Sequence, residues 1–139
     1  MYADSSFVVS IYVQDQHSTS ADALLRLQPH LLLTPLILAE WAHALSRQVF
    51  RGQMSAPDAQ RIDSAFENDR SNGLWLETAM PEHAFEVCAD LARRYGPKLG
   101  VRTLDSLHVA CALELKADRF WTFDDREAKL AKAQGLRTS

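Results

Sequence analysis

The sequence predicts an α/β fold, a three-layer α/β/α sandwich around a short parallel sheet of four or five strands. Two observations carry that reading. Brief apolar runs alternate along the chain with longer segments of helical periodicity, the pattern of strands joined by crossover helices. The segment 104–116 (Leu107, Val109, Ala110, Cys111, Ala112, Leu113) is apolar almost all round, so it must be covered on several sides. At 139 residues the chain fits one domain spanning 1–139.

The elements follow in order. Residues 1–4 predict a strand, and Ser5 and Ser6 open a helix through Phe7, Val8, Ile11 and Tyr12. A second short helix covers 19–27. Leu31-Leu32-Leu33 reads as a buried strand. Thr34 caps a helix with Pro35 at its first position, where a missing N–H costs nothing, and that helix runs to Phe50. Gly52 breaks it. Ser55 caps the next, which runs to Asp69. Asn72-Gly73 turns the chain into a third strand, Leu74-Trp75-Leu76. Pro81 opens a helix predicted to end at Tyr95-Gly96-Pro97, and a loop with Lys98, Gly100 and Arg102 follows. Thr103 caps the apolar helix. Arg119 to Phe123 is a fourth strand, Asp125 to Gln134 a last helix stopped by Gly135, and Leu136 to Ser139 an edge strand.

Composition narrows the function classes. Hydrophobic residues make up 47% and charged residues 24%, an ordinary globular balance. No apolar run approaches the roughly 20 residues of a membrane helix, and the start Met1-Tyr2-Ala3-Asp4 lacks a signal peptide's basic and apolar regions. Cys88 and Cys111 sit in apolar helical patterns and read as small buried hydrophobes, which points to the cytoplasm. The net charge is −3, against the basic footprint of most nucleic-acid binders. Any attraction to RNA must be local or delivered through bound cations.

Four acids stand at positions where chemistry is built. Sites in open parallel sheets form beyond the carboxyl ends of strands. Asp4 ends strand one and Asp124 ends strand four. Asp105 enters the buried helix. Glu40 lies on the rim of the stripe formed by Ile37, Trp41, Ala44 and Leu45, with Arg47 two turns on. Each acid also has a plain structural reading: Asp4 and Asp124 as helix caps, Asp105 as a first-turn acid, Glu40 as a solvated flank. Gathered together, they would repel until protons, basic partners or a cation intervened. Oxygen donors without a His or Cys cluster favour Mg²⁺ or Mn²⁺ over zinc. Such a metal at a strand-end crevice suggests phosphodiester hydrolysis.

Four motifs in this order carry a family resemblance: Tyr2-Ala3-Asp4-Ser5-Ser6; Thr34-Pro35-Leu36-Ile37-Leu38-Ala39-Glu40; Arg102-Thr103-Leu104-Asp105-Ser106-Leu107-His108-Val109-Ala110; and Trp121-Thr122-Phe123-Asp124-Asp125-Arg126. The chain resembles the PIN-domain nucleases over its whole length, and within them the VapC toxins of type II toxin–antitoxin pairs. The resemblance implies a Mg²⁺-dependent endoribonuclease, with Mn²⁺ as an alternative ion, that hydrolyses RNA with a metal-activated water. Asp4, Glu40, Asp105 and Asp124 would be the catalytic, metal-binding acids. Ser6 and Thr122 would orient a ligand or water. Asp125 would be a fifth acid or the cap of the last helix. A homodimer and a VapB-like antitoxin whose tail blocks the groove are implied as well.

Weaker signals remain. Arg47, Arg51, Arg93, Arg94, Lys98 and Arg102 are the basic residues expected nearest the crevice, with Arg47 and Arg102 the foremost candidates for RNA phosphates. They equally suit a solvated charged face. His108, one turn after Asp105, reads as a hydrogen-bonded core or edge group, and Trp41, Trp75 and Trp121 as packing. Glu40-x-x-His43 has di-iron spacing, but only one copy exists. The chain has no Gly-rich phosphate loop and no G-x-S-x-G elbow. Ser6 stands where a haloacid-type phosphatase needs an Asp. A phospho-receiver would need an Asp after strand three, where Leu76-Glu77-Thr78-Ala79-Met80 offers none. The remaining alternatives are a PIN-like RNA-processing nuclease outside a toxin system, or a catalytically idle PIN-like binding module.

Overall fold

The computed structural model describes residues 1–27 and 30–138. Within them five strands, β1 (Tyr2–Ala3), β2 (Leu31–Leu33), β3 (Trp75–Glu77), β4 (Arg119–Trp121) and β5 (Arg137–Thr138), form one sheet in the order β3-β2-β1-β4-β5. Every neighbouring pair is parallel. The helices are α1 (Ser5–Tyr12), α2 (Ser18–Leu25), α3 (Pro35–Phe50), α4 (Ala56–Ser71), α5 (Ala84–Leu99), α6 (Thr103–Glu114) and α7 (Asp125–Ala133). They pack in two groups, α1 to α4 and α5 to α7. Right-handed crossovers place those groups on opposite faces of the sheet, which is the predicted sandwich. The predicted edge strand is β5; Ser139 lies outside the described residues.

The core follows from the apolar patterning. Tyr2, Ala3, Leu31, Leu33, Phe120 and Trp121 from the strands are buried. On α3 the buried set is Ile37, Trp41, Ala44 and Leu45, the stripe read from the sequence. Tyr12, Trp41, Phe66 and Trp75 interlock α1, α3, α4 and β3, with the Trp41 and Phe66 rings 4.6 Å apart. The polar edges of this cluster are satisfied: Trp41 Nε1 donates to Asp63 at 2.8 Å and the Tyr12 hydroxyl to Asp69 at 2.8 Å. The cysteines are both buried and unpaired. Helix α6 is buried from Asp105 to Ala112, so it runs through the interior as its all-round apolarity requires.

Several boundaries differ from expectation, each for a local reason. The fifth helix starts at Ala84, because Pro81 sits in a turn whose carbonyl accepts the Ala84 N–H. It continues through Gly96 and Pro97 to Leu99. Pro97 falls in the final turn and forfeits a single i→i−4 bond there. Gly100 closes the helix at φ +63°, a left-handed conformation that glycine adopts freely. The cap of α6 is Arg102 rather than Thr103, since the Asp105 carboxylate reaches back to the Arg102 N–H at 2.7 Å. The cap of α7 is Asp124 rather than Asp125, which is the first helical residue. No described helix is long and apolar enough to cross a membrane.

Candidate active site

Strand order reverses between β1 and β4, so the chain leaves these neighbouring strands on opposite faces and opens a crevice beyond their carboxyl ends. Asp4 and Asp124 stand there. The Asp4 N–H donates to the Trp121 carbonyl at 2.9 Å, extending the strand pairing by one bond and fixing the two chain exits against each other.

Asp4 is buried and caps α1. Its Oδ1 accepts the Ser6 hydroxyl at 2.8 Å and the Phe7 N–H at 3.0 Å. Ser6 Oγ in turn accepts the Phe123 N–H at 2.9 Å, tying the start of α1 to the segment after β4. Asp124 Oδ1 accepts the N–H groups of Arg126 and Glu127 at 2.8 and 3.3 Å. Thr122 Oγ1 accepts the Asp124 N–H at 2.9 Å and donates to Glu127 at 3.0 Å. Ser6 and Thr122 therefore hold the acid-bearing turns in register. Asp125 is exposed at the first position of α7.

Asp105 enters from the buried start of α6. Besides the Arg102 N–H it holds the Arg102 guanidinium at 3.2 Å, and the same guanidinium reaches Asp124 at 3.3 Å. Glu40 comes from α3. Its Oε2 is bonded to His108 Nε2, and His108 Nδ1 lies 3.0 Å from the Tyr2 hydroxyl. His108 Nε2–H donates to the Glu40 carboxylate, and Nδ1 faces the Tyr2 hydroxyl. Burial pushes the Glu40 carboxyl up, but the hydrogen bond and charge of His108 outweigh it and hold Glu40 below its ordinary value. His108, read from the sequence as a core or edge group, is 1% exposed and bonded at both nitrogens.

A fifth carboxyl, Glu127, was missed. It is 4% exposed and lines the same cavity. Burial raises its pKa far above the carboxylate range, and the Asp4 charge and hydrogen bond raise it further, so Glu127 keeps its proton and donates to Asp4. A signal existed. Glu127, Leu130 and Ala131 share one helical face at i, i+3 and i+4, which puts Glu127 on the inward side.

The five acids line a cavity of about 420 Å³, with Arg47 and Arg102 among its other walls. The repulsion expected of the cluster is met by basic partners at Asp105, Asp124 and Glu40, and by a proton at Glu127. As the side chains stand, no three acidic, His or Cys groups among the described residues are gathered in ligand geometry. The donor set nevertheless fits a hard divalent cation in kind. It is oxygen only, and Asp4, Glu40, Asp105 and Asp124 bring their carboxyl groups to one cavity. Of the six basic candidates, Arg47, Arg51 and Arg102 line cavities at the acids, whereas Arg93, Arg94 and Lys98 line neither.

Comparison with known proteins accords with this architecture. The chain resembles VapC20 of Mycobacterium tuberculosis, described as a sarcin–ricin-loop-cleaving toxin, at 13% identity and a TM-score of 0.69, covering 97% of this chain and 95% of that one. FitAcB from Neisseria gonorrhoeae gives 13% identity and a TM-score of 0.72, covering 99% and 94%. VapBC2 from Rickettsia felis, bound to a DNA fragment from its promoter, gives 14% and 0.68, covering 99% and 96%. At such identities these structures speak to the fold alone. No curated protein matches the chain significantly. The PIN domain family model matches residues 1–133, nearly the full length, and the chain belongs to the PIN domain family.

Proposed function

We propose that the chain is a metal-dependent endoribonuclease acting as the toxin of a VapBC-type toxin–antitoxin pair. The observation that carries this reading is the convergence of Asp4, Glu40, Asp105 and Asp124 on one cavity at the switch point. Family membership supports nuclease chemistry, and the toxin role is the reading proposed for a chain that shares its fold with VapC20 and VapBC2.

Asp4, Glu40, Asp105 and Asp124 would hold Mg²⁺, or Mn²⁺ in its place. The ion would supply Lewis-acid activation of a water and neutralise charge on the scissile phosphate. The protein residues prepare the rest. His108 keeps Glu40 ionised and aimed into the cavity. Ser6 and Thr122 fix the turns that carry Asp4 and Asp124. An ionised carboxylate at the cavity takes the proton of the attacking water. Arg47 and Arg102 stand at the cavity wall, where they bind phosphate oxygens of single-stranded or loop RNA. A VapB-like antitoxin and assembly as a homodimer complete the proposal.

Purified protein should cleave single-stranded or loop RNA with Mg²⁺ or Mn²⁺ and stop on addition of EDTA. Asp4→Asn and Asp105→Asn should each abolish cleavage. Activity that persists in EDTA, or in both variants, would overturn the metal mechanism. The toxin role is tested by the genome: a small antitoxin gene overlapping or just upstream is expected, and an isolated gene would remove the toxin role while leaving the nuclease.

A further inference from the structure

A second cavity of about 570 Å³ adjoins the acid site and shares Ser5, Ser6, Glu40, Arg47, Leu104 and Asp124 with it as a common wall. Its character differs. Beyond the shared wall its lining includes the imidazoles of His17 and His43 and the guanidinium of Arg51, with Asp15 as the one further acid. The Asp15 carboxylate is occupied within the α1–α2 turn, where it accepts the Ser10 hydroxyl at 2.7 Å and the His17 N–H at 2.7 Å. The amides of Gln48 and Gln53 complete a polar lining in which Arg47 and Arg51 are the cations.

Helix α3 itself carries the change of polarity. Glu40 faces the acid site; His43 follows three residues on, and Arg47 and Arg51 come at four-residue intervals after it along one stripe. Successive residues of that stripe are about 6 Å apart along the axis, the scale of one nucleotide in an extended strand. Neither arginine closes a salt bridge among the described residues.

Aromatic rings form the remaining wall. His17 stacks on Phe123 with centroids 4.4 Å apart and planes within 9°. Phe123 stacks in turn on fully buried Phe7 at 5.5 Å. The column starts in the core and ends at two half-buried rings that line the cavity, directly beside Asp124. Structural packing alone needs the Phe7–Phe123 contact. It does not need a flat, polar-edged ring on the solvent end of the column.

We propose that this cavity is a nucleotide subsite. A base next to the scissile phosphate stacks against the His17–Phe123 pair, and Arg47 and Arg51 take the phosphates that lead away from the acids. The subsite selects single-stranded RNA, because a paired base cannot leave its own stack to reach the ring column. The proposal rests on the nuclease reading for its orientation toward the acids, and it adds the direction in which the strand runs along α3.

Binding in EDTA separates the subsite from the chemistry. The probe is a short fluorescein-labelled single-stranded RNA of mixed sequence, followed by fluorescence anisotropy with the full chain. His17→Ala should weaken binding about tenfold, the size of one lost base–aromatic stack. His17→Phe should restore it to within about threefold, which a charge or folding effect would not do. Arg51→Ala should lower the slope of log affinity against log salt by about 0.7, the single-strand value for one phosphate. A matched duplex should bind more weakly than the single strand and be indifferent to His17→Ala. Wild-type protein that fails to bind the single strand overturns the subsite. So do His17→Ala and Arg51→Ala that bind as the wild type does, the outcome expected of a cleft built for a protein partner. RNA binding with these signatures but no cleavage in Mg²⁺ or Mn²⁺ would sustain the subsite and sink the nuclease reading. Cleavage with unaltered KM in both variants would do the reverse.

Discussion

Truncating His108 to alanine tests whether the brace behind Glu40 matters to the fold as well as to the site. The imidazole is 1% exposed and bonded at both nitrogens, to Glu40 and to the fully buried Tyr2 hydroxyl. Removing a buried side chain of this size costs about 2–5 kcal/mol in lost transfer and residual cavity. Stranding a buried hydroxyl adds about 1–3 kcal/mol. Thr34 and Cys111 also lie within interaction range of Tyr2, which moderates that second cost. The expected loss is about 4 kcal/mol, against a total of roughly 5–15 for a domain. At about 4 °C per kcal/mol the melting temperature should fall by roughly 15 °C. His108→Gln offers an amide to Glu40 and should recover about half. The pH dependence supplies a second check. Glu40 is held below its ordinary value of 4.5, so its contribution is present above that value and is lost as pH falls through the lower folded value. In His108→Ala the lowering from His108 is gone, and burial is opposed only by the Ser5 hydrogen bond and the Arg47 charge. The stability gap between wild type and variant should therefore narrow as pH falls below about 4.5. Urea titrations of both proteins across that range decide the matter. A gap under about 1 kcal/mol at neutral pH, or one that stays constant into acid, would refute the brace.

Three further expectations follow from the same geometry. Glu127 takes up a proton on folding, and this costs stability once pH rises above the carboxyl's unfolded value of 4.5; Glu127→Gln should thus stabilise by up to about 3 kcal/mol at pH 7 and by almost nothing at pH 4, checked by thermal melts at the two values. Arg102→Ala frees Asp105 and Asp124 from an exposed guanidinium, so stability should move by less than about 1 kcal/mol. In the same variant Mn²⁺ affinity measured by calorimetry should rise several-fold, and an unchanged affinity would mean that arginine and ion do not compete. Phe66→Ala, at the centre of the Tyr12, Trp41 and Trp75 cluster, should cost about 3–5 kcal/mol in a urea titration, with under 1 kcal/mol marking a cluster that collapses around the gap.

Periodicity made the fold legible. Continuous apolar runs marked β2 and β3, and all-round apolarity marked α6 as the interior helix. Boundaries were less visible because capping is reciprocal: Asp105 satisfies the Arg102 N–H, which moves the start of α6 back from Thr103, and Asp124 displaces Asp125 as the cap of α7. Pro97 was misread because a proline's cost depends on whether a turn follows it, and only Gly100 ends the helix. At the site, strand ends and a buried helix start picked out Asp4, Asp105 and Asp124. Glu40 needed the edge of a stripe. Glu127 escaped because a glutamate two residues into a polar helix looks solvated until its face is counted. His108 was seen, but not its partner. A bond between residues 68 apart is set by how α3 and α6 pack, which no local pattern encodes.

The interior position of α6 divides the site by rigidity. Its amides from Leu107 to Ala112 lie in buried residues, so they should exchange with solvent only when the whole chain unfolds. Asp105 and His108 belong to that slowest-exchanging unit, and through His108 so does the aim of Glu40. Arg102, Arg51 and His43 sit instead on exposed positions that can rearrange without disturbing it. One side of the crevice is thereby as durable as the protein itself. The other side can adjust to whatever strand is laid against it.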